Sequence, residues 1–205
     1  MMTRMPRQNP PTEKLKALKD ALENYQPGSN AIVDRRLEEA LAPISAKAAR
    51  LVNHRPRSEY ELRQRLLQDG AQPHFVDQVI ERCRNNGMLD DEVFASEWVR
   101  QRQQNQKKSV AILRQELQRK GVASHTIETA LDQVDDQAQA EILVELVNKK
   151  AGTISEVPAD RKEYDKLLRR VAGVGARRGF PPTQVMQAAT EALDLRIAEL
   201  RQAGG

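Results

Sequence analysis

The sequence predicts an all-α protein: three tandem three-helix repeats, each a helix-turn-helix-like unit, in an extended curved array. Three observations carry this. The 205 residues contain only 3% aromatics, and the composition is rich in helix formers and poor in residues that favour sheets. From about residue 31 onward, apolar residues recur at helical spacing nearly throughout. One pattern then repeats around three glycines. It reads Leu62, Leu66, Gly70, Val76, Val79, Ile80, next Leu113, Leu117, Gly121, Ile127, Ala130, Leu131, and last Val171, Gly175, Gly179, Val185, Ala188, Ala189.

The pattern dictates a geometry. Apolar residues four apart share one helix face. Glycine stops that helix in a left-handed turn. The positions six, nine and ten residues later line the inner face of the next helix. A further helix precedes each pair. A unit of roughly 50 residues buries too little to be very stable alone, so neighbouring units are expected to pack together. The division is an N-terminal arm at 1–40, expected to be flexible, then units at 41–88, 89–134 and 135–205. Gly175 replaces the leucine of the other copies. A weaker or bent helix is expected there, since an interior glycine costs about 1 kcal/mol relative to alanine.

Each element has a local reason. In the arm, Thr12 suits the cap of a short helix over Thr12–Tyr25. Pro43 fits a first helical turn, giving a helix over 43–54, and Pro56 disfavours helix at Arg55. Ser58-Glu59-Tyr60-Glu61 is a capping box for a helix to about Asp69. Pro73 starts the next helix and Gly87 stops it. Asp90 and Asp91 suit the positive start of a helix carrying Phe94, Ala95, Trp98 and Val99, with a weak break over Asn105–Lys108. Ser109–Lys120 follows, ended by Gly121, and Ser124 caps a helix to about Val134. Asp136–Lys150, a loop over Ala151–Asp160 and two helices flanking Gly179 complete the chain.

Composition excludes several classes. The single Cys83 rules out an intramolecular disulfide framework and a cysteine-cluster zinc site. No apolar run reaches the roughly 18 residues that span a bilayer. Arg4 and Arg7 are followed by no apolar segment of signal-peptide length. A soluble, cytoplasmic, monomeric protein is expected.

The net charge is +4, so placement matters more than excess. Three windows, 40–58, 98–115 and 166–190, contain no acidic residue and hold four or five cations each. The candidate contacts are Arg100, Arg102, Lys107, Lys108, Arg114, Arg169, Arg170, Arg177 and Arg178. Long donors without neighbouring acids suit phosphate oxygens or an acidic protein groove.

Other constellations favour structural roles. His54, His74 and His125 fall in different units, and no metal site is expected. Cys83 lacks a fixed base partner. Gly173-Val174-Gly175 lacks both the preceding strand and the following Gly-Lys-Ser/Thr of a phosphate loop. Asp90 with Asp91, and Asp132 with Asp135 and Asp136, mark helix boundaries. Phe94 and Trp98, four apart, suit core packing more than base stacking. No catalytic residue and no cofactor are expected.

Four motifs occur in order: Arg57-Ser58-Glu59-Tyr60-Glu61-Leu62-Arg63; Gly87-Met88-Leu89-Asp90-Asp91 running into Phe94-Ala95 and Trp98-Val99-Arg100-Gln101-Arg102; Glu116-Leu117-Gln118-Arg119-Lys120-Gly121-Val122; and Arg178-Gly179-Phe180. Together they resemble the bacterial RecX regulatory proteins, modulators of the RecA recombinase, over about residues 40–200. The resemblance implies three tandem three-helix repeats and binding along the groove of a RecA–DNA filament. It also implies some affinity for single-stranded DNA (and, as a second option, double-stranded DNA), inhibition of filament growth, ATP hydrolysis, strand exchange and coprotease activity, and no catalytic residues. The alternative reading is a stand-alone DNA-binding protein of helix-turn-helix type.

Overall fold

The computed structural model describes residues 35–203. Among them lie nine helices and no strand: α1 (Arg35–His54), α2 (Glu59–Gln68), α3 (Pro73–Asn85), α4 (Asp91–Gln106), α5 (Val110–Arg119), α6 (Ser124–Leu131), α7 (Asp136–Ala151), α8 (Arg161–Ala176) and α9 (Pro182–Ala203). None is long and apolar enough to cross a membrane.

The apolar positions of the glycine-centred repeat are all buried. They build three separate cores. Helices α1–α3 enclose Leu41, Ala48, Leu62, Leu66, Val76 and Ile80. Helices α4–α6 enclose Phe94, Val99, Leu113, Leu117 and Ile127. Helices α7–α9 enclose Leu143, Val147, Val171, Val185, Ala189 and Leu193. Each core removes apolar side chains from water at roughly 25 cal/mol per Å². Local caps set most helix ends. Ser58 forms the full capping box with Glu61 at the start of α2. Asp90 accepts from the Glu92 and Val93 N–H groups at the start of α4. Asp135 and Asp160 cap α7 and α8.

The structure differs from expectation at three places. Pro43 lies inside α1 rather than in its first turn. Residues 35–40, counted above with the arm, are therefore helical. Packing outweighs the missing N–H: Leu37 and Leu41 join the first core, and the Glu38 carboxylate accepts from Arg82 on α3 at 2.9 Å. The rest of the arm, with its expected helix over Thr12–Tyr25, lies outside the described residues. Ser124 is not a cap, because Ala123 holds the N-cap position without a side-chain bond. Helix α6 ends at Leu131, short of Val134. Gly175 is the penultimate residue of α8. A Cβ there would stand 2.8 Å from Leu143 Cδ1 and 2.9 Å from Val185 Cγ2, so the glycine permits close packing of α8 on α7 and α9.

Candidate functional site

Two residues at one repeat position join successive cores. Ser58 and Ser109 each precede the first repeat leucine (Leu62, Leu113) by four. Ser58 Oγ accepts from the Glu61 N–H at 3.1 Å and donates to the Lys120 carbonyl at 2.6 Å. Ser109 Oγ accepts from the Ile112 N–H at 3.4 Å and donates to the Gly179 carbonyl at 2.7 Å. Both serines are buried. Each caps its own helix and is satisfied by the glycine turn of the following three-helix group.

The glycines do more than stop helices. Gly121 and Gly179 have φ of +71° and +78°. A Cβ on Gly121 would fall inside the Tyr60 side chain, and one on Gly179 inside Ile112. Gly70 has the same left-handed backbone but nothing within 4 Å. The last group lacks the serine, since Leu167 stands four residues before Val171 and within α8.

The joint between the first two cores is rich in charge. Glu61 accepts from Lys120 at 2.8 Å and from Arg55 at 3.1 Å. Burial pushes its carboxyl up, but the hydrogen bonds and charges of Arg55 and Lys120 outweigh this and hold it at about 2. Asp91 accepts from the Glu59 N–H at 2.9 Å, so it caps α2 rather than its own helix. Burial raises the Asp91 carboxyl. Lys120 Nζ lies 4.1 Å from the Trp98 ring centroid and the Arg102 guanidinium 4.2 Å. The Trp98 indole N–H donates to Glu116 at 3.0 Å, and Phe94 lies beside it at 5.8 Å. The indole is thus engaged within the protein, as core packing requires and base stacking does not.

The nine candidate cations divide by environment. Arg100 pairs with Glu97 at 2.7 Å. Lys108 pairs with Glu116, and Lys107 with Glu145 on α7. Arg102 approaches Glu116 at 3.9 Å. Arg114 grips Glu128 through two bonds of 2.9 and 2.7 Å. Hydrogen bonds from Arg100, Arg114 and Lys107 hold the Glu97, Glu128 and Glu145 carboxyls below the usual range. The acid-free stretch 98–115 is therefore not acid-free in space. Arg178 instead donates to two carbonyls, Gln106 at 3.3 Å and Val174 at 3.2 Å, tying the end of α4 to α8. Arg169, Arg170 and Arg177 are exposed. Among the described residues, none of these three is in an ion pair, and the Arg177 guanidinium folds back over Gly173.

Two cations that sequence reasoning passed over, Lys149 and Lys150, share a cleft with Lys107 and Arg178. They close α7, close in sequence to Glu141 and Glu145, so no acid-free window announced them.

The remaining polar groups serve structure. His74 packs its ring on Phe75 at 3.9 Å, and His125 Nε2 lies 3.2 Å from Thr126 Oγ1. Cys83 is buried in the first core, and burial pushes its thiol up, away from the reactive thiolate. Gly173-Val174-Gly175 lies within α8, not in a loop. Among the described residues, no group of three or more His, Cys, Asp or Glu side chains is placed to hold a metal ion.

Comparison with known proteins gives one consistent answer. The family models for the first and second three-helix domains of RecX match residues 46–83 and 90–131. A regulatory protein RecX of Corynebacterium efficiens is 40% identical over 194 residues, covering 92% of each chain. One of Mycolicibacterium vanbaalenii is 35% identical over 153 residues, covering 72% of this chain and 81% of that protein. The crystal structure of RecX from Lactobacillus salivarius superposes with a TM-score of 0.64 at 20% identity, covering 77% of this chain and 98% of that one. A second RecX crystal structure reaches 0.62 at 19% identity, covering 86% and 85%. These two superpositions speak to the fold alone.

Proposed function

The chain belongs to the RecX family of regulatory proteins, and from that premise we propose that it binds the RecA–DNA filament and inhibits the recombinase. The activities inhibited are filament growth, ATP hydrolysis and strand exchange. The observation that carries this reading is the match along 92% of both chains at 40% identity, which includes both inter-core joints.

The physical reading supports it. Three small cores joined by repeated serine latches make a molecule suited to touching several filament subunits. Several weak contacts then sum through effective concentration. The division into units at 41–88, 89–134 and 135–205 belongs to this proposal, with the first unit extended back to Arg35 by the start of α1. So do action as a monomer in the cytoplasm and contacts from Arg100, Arg102, Lys107, Lys108, Arg114, Arg169, Arg170, Arg177 and Arg178. Arg169, Arg170 and Arg177 rank first, because no internal carboxylate competes for them. Arg100 and Arg114 would exchange one exposed partner for another, at small net gain. The reading carries no catalytic step and needs no cofactor.

The test is ATP hydrolysis by the cognate recombinase on single-stranded DNA during titration of this protein. Inhibition below one molecule per recombinase subunit is the expected result. Unchanged hydrolysis by a folded protein that still binds naked DNA overturns the reading in favour of a stand-alone DNA-binding protein.

A further inference from the structure

Thr153 stands where two clefts meet. The first, about 410 Å³, lies between the end of α4 and helices α7 and α8. Lys107, Lys149, Lys150 and Arg178 line it, against the single acid Glu145, which already pairs with Lys107. The second, about 360 Å³, adds Lys166 and Arg170 beside Glu156 and Glu163. The Glu163 carboxylate is occupied by the Ala159 N–H at 2.9 Å.

Most cations of these clefts have no close carboxylate partner, although the charge of Lys149 is felt by Glu145. Among the described residues, Lys149, Lys150, Lys166 and Arg170 form no ion pair, although Lys150 is half-buried. Arg178 is held by carbonyls alone, so its position is fixed while its charge stays uncompensated. Lys107, at φ +50°, is the one non-glycine residue in the left-handed region among those described. Lysines at the end of α7 complement the negative end of that helix, but one helix end does not account for cations from three elements. Along α8, Lys166, Arg170 and Val174 follow at four-residue steps of about 6 Å, and Arg178 comes just beyond.

We propose that this junction is a phosphodiester site: it holds the backbone of a nucleic-acid strand, without regard to base sequence, through Lys149, Lys150, Arg178, Lys166 and Arg170. The proposal deepens the filament reading, on which it rests for the presence of DNA. Phosphate oxygens accept from ammonium and guanidinium groups alike. The walls of the larger cleft offer Asn105, Gln106 and Thr153 as further polar partners and no aromatic ring on which a base could stack. A protein partner would need buried apolar anchors, and only Leu146 and Val174 are apolar there.

The experiment measures binding of the full chain to a fluorescein-labelled oligothymidylate by anisotropy across a sodium chloride series. The wild type is compared with Lys149→Gln/Lys150→Gln, and with the remote control Arg35→Gln/Arg65→Gln on the first three-helix group, all shown folded by circular dichroism. Each phosphate contact on a single strand contributes about 0.7 to the slope of log affinity against log salt. The cleft variant is expected to lose about 1.4 of slope by that relation, and the control to lose none. An unchanged slope in the cleft variant overturns the proposal. So does an equal loss in the control, or failure of the wild type to bind at low salt. Competition by polyglutamate as effective as unlabelled oligothymidylate would assign the cleft to an acidic protein surface and overturn it as well. Recombinase ATP hydrolysis, run in parallel, separates the two readings. Inhibition with an unchanged slope removes the cleft and leaves the filament reading standing. The expected slope change without inhibition does the reverse.

Discussion

The two inter-core joints share one device and differ in everything around it. Ser58 and Ser109 make the same pair of bonds, to their own helix and to the next glycine turn. At the first joint, Lys120, Arg55 and Arg102 are absorbed by Glu61, Glu116 and Trp98. At the second, Arg178 bonds carbonyls and Lys107 meets Glu145, while among the described residues Lys149 and Lys150 form no ion pair, Lys149 reaching Glu145 only through its longer-range charge. The difference teaches that a repeat fixes how units register, and that acids contributed by neighbouring elements decide whether a joint consumes its cations or leaves them for a partner.

The strongest way to break the comparison is at the glycines. Gly121→Ala and Gly179→Ala add left-handed strain of about 1–2 kcal/mol and overpacking of about 1–3 kcal/mol against Tyr60 and Ile112. Gly70→Ala adds strain alone, because nothing lies within 4 Å. Urea unfolding should show both joint variants losing about 3 kcal/mol and Gly70→Ala losing about 1. Equal losses at all three would deny the glycines a seating role.

Next in size is the acid response of the first joint. The Glu61 carboxyl is lowered to about 2 from an ordinary 4.5. Its stabilisation is complete above the ordinary value and is lost as pH falls from about 4.5 through about 2. The loss should be at most about 3 kcal/mol. Glu61→Gln should flatten that part of the stability–pH curve, whereas Glu145→Gln at the exposed pair of the second joint should barely alter it.

Ser58→Ala and Ser109→Ala sharpen what the joints have in common. Each removes a cap and leaves a carbonyl without its donor, and each should cost about 2 kcal/mol in thermal or urea unfolding. A large cost at one and none at the other would show that the shared geometry hides unequal roles.

The smallest effect belongs to Lys107→Gly. Relief of the left-handed backbone, about 1 kcal/mol, opposes loss of a partly exposed ion pair worth 0–1 kcal/mol. Unfolding stability should change by less than about 1 kcal/mol, the net of these two opposing terms.

Much of the fold was legible locally. Periodicity placed the buried faces of α2, α3, α5, α6, α8 and α9, and the capping box at Ser58 was read from four letters. Pro43 misled because its local preference for a first turn lost to the packing of Leu37 and Leu41 on the first core. Ser124 misled because a good capping residue next to Ala123 still gave no side-chain bond. The candidate site was less legible. The windows located Arg169, Arg170 and Arg177, which are exposed, but also located Arg100, neutralised by Glu97 one turn earlier on its own helix, and Lys108 and Arg114, neutralised by carboxylates of α5 and α6.

The sequence by itself determined the helices, their inner faces and their stops. These depend on residues within about one helical turn of one another, and hydrogen bonds, caps and side-chain spacing are encoded at that range. Tertiary structure decided the rest. It turned two capping serines into inter-core latches across 62 and 70 residues of chain. It set Tyr60 and Ile112 on distant glycines. It also chose which cations meet a carboxylate, because Coulomb energy falls with distance through space and takes no account of separation along the chain.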